Sequence, residues 1–579
     1  MIMKTTRRSL SSLAFLLAII MLLPTFIACN PGEGDGSLSP VVTTEPAPES
    51  TEAPASESIK LTEGGKALFT IIRPDECTQS LYELARDFGE NLEKITGVEF
   101  KQDTDFKGWN TVRDPEKYEI LLGHTNYDET VEVLGDMKYY DYAIVKRGNK
   151  IVIAAYTEAS LKKAMTYFKN NVVSKIEKDA DGDFAMIFEE TIFRGKYNVD
   201  ALTLDGNPIE NYVVVYGKGN SAGQTVAQSV VDVIASATGR YLPIVSDKEA
   251  EAECEILVGK TNRAASANVG NLANLSYNVT LQSGKLVIDC LSAETGDAAI
   301  RKLYASKMSS GGKIELTSGE LCTGTLLTET VMPMTDGSDL RIITYNVLTE
   351  KWGGTDTSGR AEYFGACLDV YKPDIVGVQE VCDKWRKYMP DRIGNYKLIG
   401  TTRKDGGESY SAIVYDSSKY EVLAQGVETY SYHASAECRN MSWAIFMAPA
   451  TGVKFAFIST HWDFGTEDNK QAMRKVQAEE MSAKIAALKA EYNCPVIITG
   501  DFNCNNTSDS YKYFMDINGM TNALTNSEHY YNAKGTNSID FIMVTTGDGV
   551  FKGYRKLIDN GLSHISDHPA NLADIDLLP

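Results

Sequence analysis

Near the C-terminal end the chain reads CPVIITGDFNCNNTS, Cys494 to Ser508, where four β-forming residues from Val496 to Thr499 run into Gly-Asp-x-Asn. Asp and Asn are depleted in strands and favoured in turns, so the segment reads either as a turn after a core strand or as a hard-cation or phosphate site at a sheet mouth. The same pattern recurs along the C-terminal 240 or so residues. LRIITYNV ends at Asn346, KPDIVGVQEV at Gln379 and Glu380, and GESYSAIVYD carries Glu408 and Tyr410 into a strand. ECRNMSWAIFM brings Arg439, VKFAFISTHWD delivers His461, NSIDFIMV gives Asp540, and ISDHPA gives Asp567 and His568. Apolar strands that each end at one polar group place those groups along a sheet edge, where a rigid scaffold can hold a cation, contact phosphate or move a proton. Five of the six histidines lie in this region.

The ordered set N, Q-E, T-H, G-D-x-N, I-D and S-D-H resembles the endonuclease/exonuclease/phosphatase superfamily, from about Leu340 to the end. That resemblance implies a four-layer α/β sandwich, two β-sheets flanked by helices. The long helix it implies after the His461 strand fits Glu467 to Tyr492, where Met473, Val476, Met481, Ile485 and Leu488 recur at helical spacing. It also implies cleavage of a phosphate ester, with Mg²⁺ or Mn²⁺ as cofactor.

Such cleavage needs charge neutralisation at the phosphoryl oxygens, an activated water and help for the leaving oxygen. Glu380 is the strongest metal candidate, with Asn346 and Asp567 as neighbouring ligands. His568 is the candidate general base with Asp540 orienting its ring, which predicts a rate that falls in acid near the histidine pKa. The resemblance gives Asp501 and Asn503 the nucleophilic water or the phosphate, and His461 a donor role; whether Asp501 or His568 takes the proton stays open. Tyr410 and Arg439 are placed on phosphate and Glu408 behind His461. His433, His529 and His564 read as surface or satisfied core residues, and Gln477 as structural.

The preceding segment says one thing twice. YEILLGHTN at Tyr118 recurs as CEILVGKTN at Cys254, and YAIVKRGNKIVIAA at Tyr142 as YNVTLQSGKLVIDC at Tyr277, offsets of 136 and 135 residues. Each copy shows a helix ending at Thr-Gly (96–97 and 238–239), a strand stopped by Gly, a hairpin and a second helix. The fold class expected is therefore α/β, with two repeated small α+β domains ahead of the sandwich. The repeats resemble the noncatalytic domain before the barrel of bacterial α-glucuronidases and hexosaminidases. They read as spacers or as modules for a glycan or peptide ligand.

The N-terminus places Lys4, Arg7 and Arg8 before an apolar run from Leu13 to Leu23, then Ala28 and Cys29, resembling a bacterial lipoprotein signal with Phe26 where Leu is usual. Cys29 is then the lipidated residue, the membrane is reached by a lipid anchor, and the protein is an exported cell-surface lipoprotein; plain secretion is the alternative. The expected division is 1–29 signal, 30–59 disordered linker rich in Pro, Glu, Ser and Thr, 60–195 and 196–331 repeats, and 336–579 the phosphoesterase domain. Without Cys29 nine cysteines remain and none forms C-x-x-C, which reads as small core residues.

A net charge of −21 overall, and 24 Lys and Arg against 32 Asp and Glu from Asp336 onward, speaks against an extensive duplex nucleic-acid surface. The favoured reading is a tethered phosphoesterase acting on a phosphate mono- or diester. An extracellular nuclease and a catalytically inactive surface binding protein are the alternatives.

Overall fold

The structure is a computed structural model. It describes residues 56–578 except 109–111, 136, 351–355, 403–409, 433–438, 466, 533–536 and 559–564. The signal, Cys29, most of the linker, Glu408, His433 and His564 lie outside the described residues. Among the described residues no helix is long and apolar enough to cross a membrane, and the cysteines are free thiols.

The chain divides into two compact units. One runs to Leu202 and takes in Asp232–Leu242 and Ser310–Lys313; the other comprises Thr203–Val231, Pro243–Ser309 and everything from Ile314. Most of the second repeat thus shares a unit with the C-terminal domain. The seam combines apolar packing, with Leu275 buried in the core beneath helix Thr357–Tyr371, and specific polar contacts: the Leu275 amide donates to Glu362 at 2.7 Å, Tyr363 donates to Glu294 at 2.8 Å, and Asn274 donates to the Arg392 carbonyl at 2.9 Å. Arg341, fully buried, binds Asp574 at 2.6 Å and donates to the Met332, Pro333 and Tyr371 carbonyls, so it stitches the incoming chain to the first strand of the domain.

The two repeats share one sheet plan. The first orders its strands Thr191–Phe193, Tyr142–Arg147, Lys150–Ala155, Glu119–Leu122, Thr70–Arg73 and Gln102–Thr104; the second orders Gly319–Thr325, Ser276–Gln282, Lys285–Asp289, Glu255–Val258, Val213–Tyr216 and Ile244–Ser246. Strand for strand, the first two junctions are antiparallel and the last three parallel. This corrects the α+β expectation: parallel neighbours cannot be joined by a hairpin, so the helices Gln79–Thr96 and Ser221–Thr238 serve as crossovers and each copy is a mixed α/β sheet. Both crossovers stop at a left-handed glycine, Gly97 (φ 72°) and Gly239 (φ 78°), as Thr-Gly predicted. Each copy also buries one ion pair between adjacent parallel strands, Glu119 with Lys150 at 2.9 Å and Glu255 with Lys285 at 2.8 Å.

The C-terminal domain stacks two sheets. The first has the order Tyr396–Ile399, Ser411–Asp416, Ile375–Gln379, Leu340–Asn346, Ala570–Leu577, Gly549–Leu557 and His529–Tyr530. The second has Glu421–Thr429, Asn440–Met447, Lys454–His461, Val496–Asp501, Asp540–Thr545 and Met520–Asn522. Ile342, Ile375, Ile413 and Ile575 of the first meet Ile445, Phe457, Ile497 and Ile542 of the second in one core. The sheets touch closely at Gly377, where an added Cβ would fall 1.8 Å from Thr499 Oγ1. Helix Thr357–Tyr371 covers the outside of the first sheet, with Phe364 and Trp385 over Tyr345 and Val378. Helix Asp468–Tyr492 covers the second through Ala478, Met481, Ile485 and Leu488. The layers are helix, sheet, sheet, helix. On the long helix Met473, Met481, Ile485 and Leu488 are buried as its spacing predicts, but Val476 is only half-buried. Arg474 and Gln477 take the buried stripe there because the backbone after His461 supplies partners: the Asp463 and Gly465 carbonyls accept from Arg474, and Gln477 bonds the Asp463 amide.

Candidate active site

Strand register builds the site. In the second sheet His461 lies beside Asp501 and Asp501 beside Asp540, three cross-strand neighbours at the same end. In the first sheet Asn346 lies beside Gln379, with Glu380 next in the chain. The stacked sheets bring the two rows together, and the Asn346 amide nitrogen donates at 3.0 Å both to Glu380 Oε1 and to Asp501 Oδ2. One amide therefore spaces two carboxylates from different sheets.

The strand ends turn sharply to do this. Leu348, Glu380 and Asn503 have φ of 57°, 64° and 49°, a left-handed conformation that side-chain-bearing residues adopt only when the surroundings impose it. The Thr349 amide donates to Glu380 Oε2 at 2.8 Å and the Asn503 amide to Asp501 Oδ1 at 2.8 Å, so each bend aims backbone N–H groups at a carboxylate. Arg360 Nη1 holds the Val347, Leu348 and Ile565 carbonyls at 2.9, 2.8 and 3.1 Å, and Trp385 Nε1 donates to Leu348 at 2.9 Å.

His568 Nδ1 sits 3.0 Å from Asp540 Oδ2 and its Nε2 3.8 Å from Asp501 Oδ2. Ser566, two residues earlier, accepts from the His568 amide and donates to the Asn346 carbonyl at 2.6 Å, tying the last loop to the first strand. His461 Nε2 lies 3.3 Å from Asp501 Oδ2 and 3.0 Å from Asn503 Nδ2. Arg439 Nη1 lies 2.7 Å from His461 Nδ1.

The structure thus brings together Asn346, Glu380, Arg439, His461, Asp501, Asn503, Asp540 and His568. Tyr410 is close by backbone: its carbonyl accepts from the Val381 amide at 3.2 Å, beside Glu380. Asp567 is exposed, and Ser566 Oγ approaches its carboxylate at 3.4 Å. His529 is exposed at a sheet edge, as expected of a surface residue. The groups sequence reasoning passed over are the braces: Arg360, Trp385, Thr349 and Ser566. Of these only Ser566, inside S-D-H, carried a local signal. Gln379 is fully buried and reaches Ser459 of the other sheet at 3.2 Å.

Electrostatics separate the three acids. Burial pushes Asp501 up, but His461 and His568 beside it, together with the Asn503 amide, outweigh burial and hold it well below the usual carboxylate range. Burial and the Asp501 charge push Asp540 up to about 6. Burial favours a neutral His568, yet its hydrogen bond to Asp540 and the charges of Asp540, Asp501 and Asp567 raise it to about 10. In the metal-free state His568 is therefore an imidazolium at neutral pH. Beside it Asp501 is ionised.

Asp501, Asp540 and His568 offer ligand atoms within 4.8 Å of one another, and Asn346 and Glu380 adjoin them through Asp501. A set of possible ligands dominated by carboxylates fits a hard divalent cation such as Mg²⁺ or Mn²⁺.

Residues 343–568 match the model of the Endonuclease/Exonuclease/phosphatase family. The chain is 26% identical over 220 residues to tyrosyl-DNA phosphodiesterase 2 of Xenopus laevis, covering 37% of this chain and 54% of that protein. It therefore spans about half the length of the curated relative it matches. Among solved structures it is similar to an endonuclease/exonuclease/phosphatase from Bacteroides vulgatus, with 25% identity, 41% of this chain and 99% of the other covered, and a TM-score of 0.36. A mannosyl-6-phosphatase of Bacteroides thetaiotaomicron gives 24% identity, the same coverage and the same TM-score.

Proposed function

We propose that the C-terminal domain hydrolyses phosphate mono- or diesters with a divalent metal. The observation that carries this reading is the Asn346 amide shared between Glu380 and Asp501, which joins the polar ends of two sheets into one anionic pocket beside Arg439, His461 and His568. Glu380 and Asn346 are the residues that would hold the ion, with Asp567 as a further carboxylate at the rim. A bound divalent ion supplies charge neutralisation at the phosphoryl oxygens.

The remaining steps belong to the chain. Asp501, kept ionised and oriented by the Asn503 amide, accepts the proton of the attacking water. Arg439 and His461 bind phosphoryl oxygens. His568, locked through Nδ1 on Asp540, presents Nε2 and its proton to the phosphoryl or leaving oxygen. Tyr410 lines the same edge, and Glu408 is assigned to support His461 on sequence grounds. Similarity to a tyrosyl-DNA phosphodiesterase of Xenopus laevis supports the diester side of the reading; the net charge of −8 from Asp336 onward speaks against long duplex contacts.

On the N-terminal sequence pattern we further propose export and lipid attachment at Cys29, with residues 30–59 as a stalk and the repeats, 60–195 and 196–331, as spacer or glycan- or peptide-binding modules. Hydrolysis of bis-p-nitrophenyl phosphate and p-nitrophenyl phosphate with Mg²⁺ or Mn²⁺, with and without chelator, tests the catalytic reading. No turnover of either ester with either metal would sink it.

A further inference from the structure

The backbone just past His461 is held in an unusual way. Trp462 and Asp463 are fully buried, and the next residue, Phe464, is 53% exposed although it is a large apolar side chain. It does not drift there: Gln477 fixes the Asp463 amide at 3.0 Å, and Arg474 clamps the Asp463 and Gly465 carbonyls at 2.9 and 2.8 Å on either side of it. The ring is flanked by two cations, Arg439 with its guanidinium carbon 5.7 Å from the centroid and Lys470 with Nζ at 5.3 Å. Arg439 is the same residue whose Nη1 touches His461, so the ring stands one side chain away from the phosphate-binding groups.

Exposing a phenyl ring costs burial that a polar residue would not forgo, and a rigid mount lowers the entropy lost when something stacks on it. We propose that Phe464 is a specificity-determining platform that selects phosphate esters bearing a flat aromatic group close to the phosphate, either an aryl group or a nucleobase. This rests on the proposed phosphoesterase reading and names the substrate class for it. The phosphate lies on Arg439 and His461, and the flat group stacks on Phe464. A stacked ring is worth roughly 1–3 kcal/mol, about five- to hundredfold in binding.

The test compares ring-bearing with ringless partners on the full chain. Wild type, Phe464→Ala, Phe464→Leu and Phe464→Tyr are assayed on phenyl phosphate against glycerol 2-phosphate, and on thymidine 5′-monophosphate against deoxyribose 5-phosphate. Phe464→Ala and Phe464→Leu are expected to lose five- to hundredfold in kcat/KM, mainly through KM, on at least one ring-bearing ester, and less than twofold on its ringless partner, with Phe464→Tyr restoring it. Which pair responds tells an aryl from a nucleobase ligand. Calorimetric binding of phenylphosphonate against methylphosphonate, with Mn²⁺, reads the same preference without turnover, so a failed hydrolysis assay would strike the phosphoesterase reading alone. Equal losses on ringed and ringless compounds, or unchanged phenylphosphonate binding in Phe464→Ala, would overturn the platform.

Discussion

The repeats and the C-terminal domain both bury charge near strand ends, and they do opposite things with it. In the repeats several acids at strand ends close on fixed local donors, while Asp289, buried without such donors, is pushed up to about 6. Glu255 meets Arg263 and Lys285, which hold it below the usual carboxylate range against burial. Asp105 accepts from the Asp75 and Asn126 amides, both at 2.8 Å, and Asp247 in the second copy accepts from the Lys218 and Asn262 amides at 2.9 and 2.8 Å. In the C-terminal domain Asp501 and Asp540 stand side by side and are driven apart in proton affinity, and Glu380 shares a single amide with Asp501. Paired charge reads as architecture; crowded like charge, held in place by braces, reads as chemistry.

The sharpest way to break this contrast is at Glu380 and Asp501. Glu380→Gln or Asp501→Asn is expected to lower kcat/KM by on the order of 10³-fold or more in a protein that still folds, with Asp501→Asn also lowering the melting temperature because it removes the charge that His461 and His568 face. Retained turnover in steady-state assays would erase the distinction. Next comes the reverse case. Lys150→Met leaves Glu119 buried and unpaired and is expected to cost about 3–5 kcal/mol in the unit that contains it, seen as a lower urea midpoint, with turnover untouched. Loss of activity in the folded variant would count against a purely architectural role.

A smaller effect should come from the braces. Arg360→Lys keeps the charge but cannot span three carbonyls, and roughly tenfold in kcat is expected, with no loss in the parallel Arg263→Lys change in the second repeat. The mildest signature is in pH. His568 has a folded-state value near 10 against an ordinary 6.5, so its contribution to stability is fully present below about 6.5 and is lost as pH rises through about 10. In chelator, the urea midpoint of wild type should fall toward that of His568→Gln across this window, and the imidazole resonance should stay protonated at pH 8. An ordinary histidine titration would contradict the carboxylate cage.

Much of this was readable from residues alone. The order of polar strand ends placed Asn346, Glu380, His461, Asp501, Asp540 and His568 in one neighbourhood, because a strand followed by one polar residue is a local pattern. The duplication was readable for the same reason. What stayed hidden depends on partners far along the chain. The parallel sense of the repeat strands follows from crossovers rather than from any strand's own composition. Val476 lost its buried place to Arg474 and Gln477 because of carbonyls and amides on another segment. The charge on His568 is set by acids 67, 28 and 1 residues away in sequence, at Asp501, Asp540 and Asp567, and no spacing rule reports their sum.

The left-handed bends at Leu348, Glu380 and Asn503 carry a consequence for how this pocket could change. Valine, isoleucine or threonine at any of these corners would fight its own backbone, so drift there is confined to residues that tolerate a tight reverse curl, asparagine, aspartate and glycine above all. Glycine would relax the curl and blur the aim of the neighbouring tip. New substrates are therefore easier to reach by rebuilding the outer wall than by altering the corners.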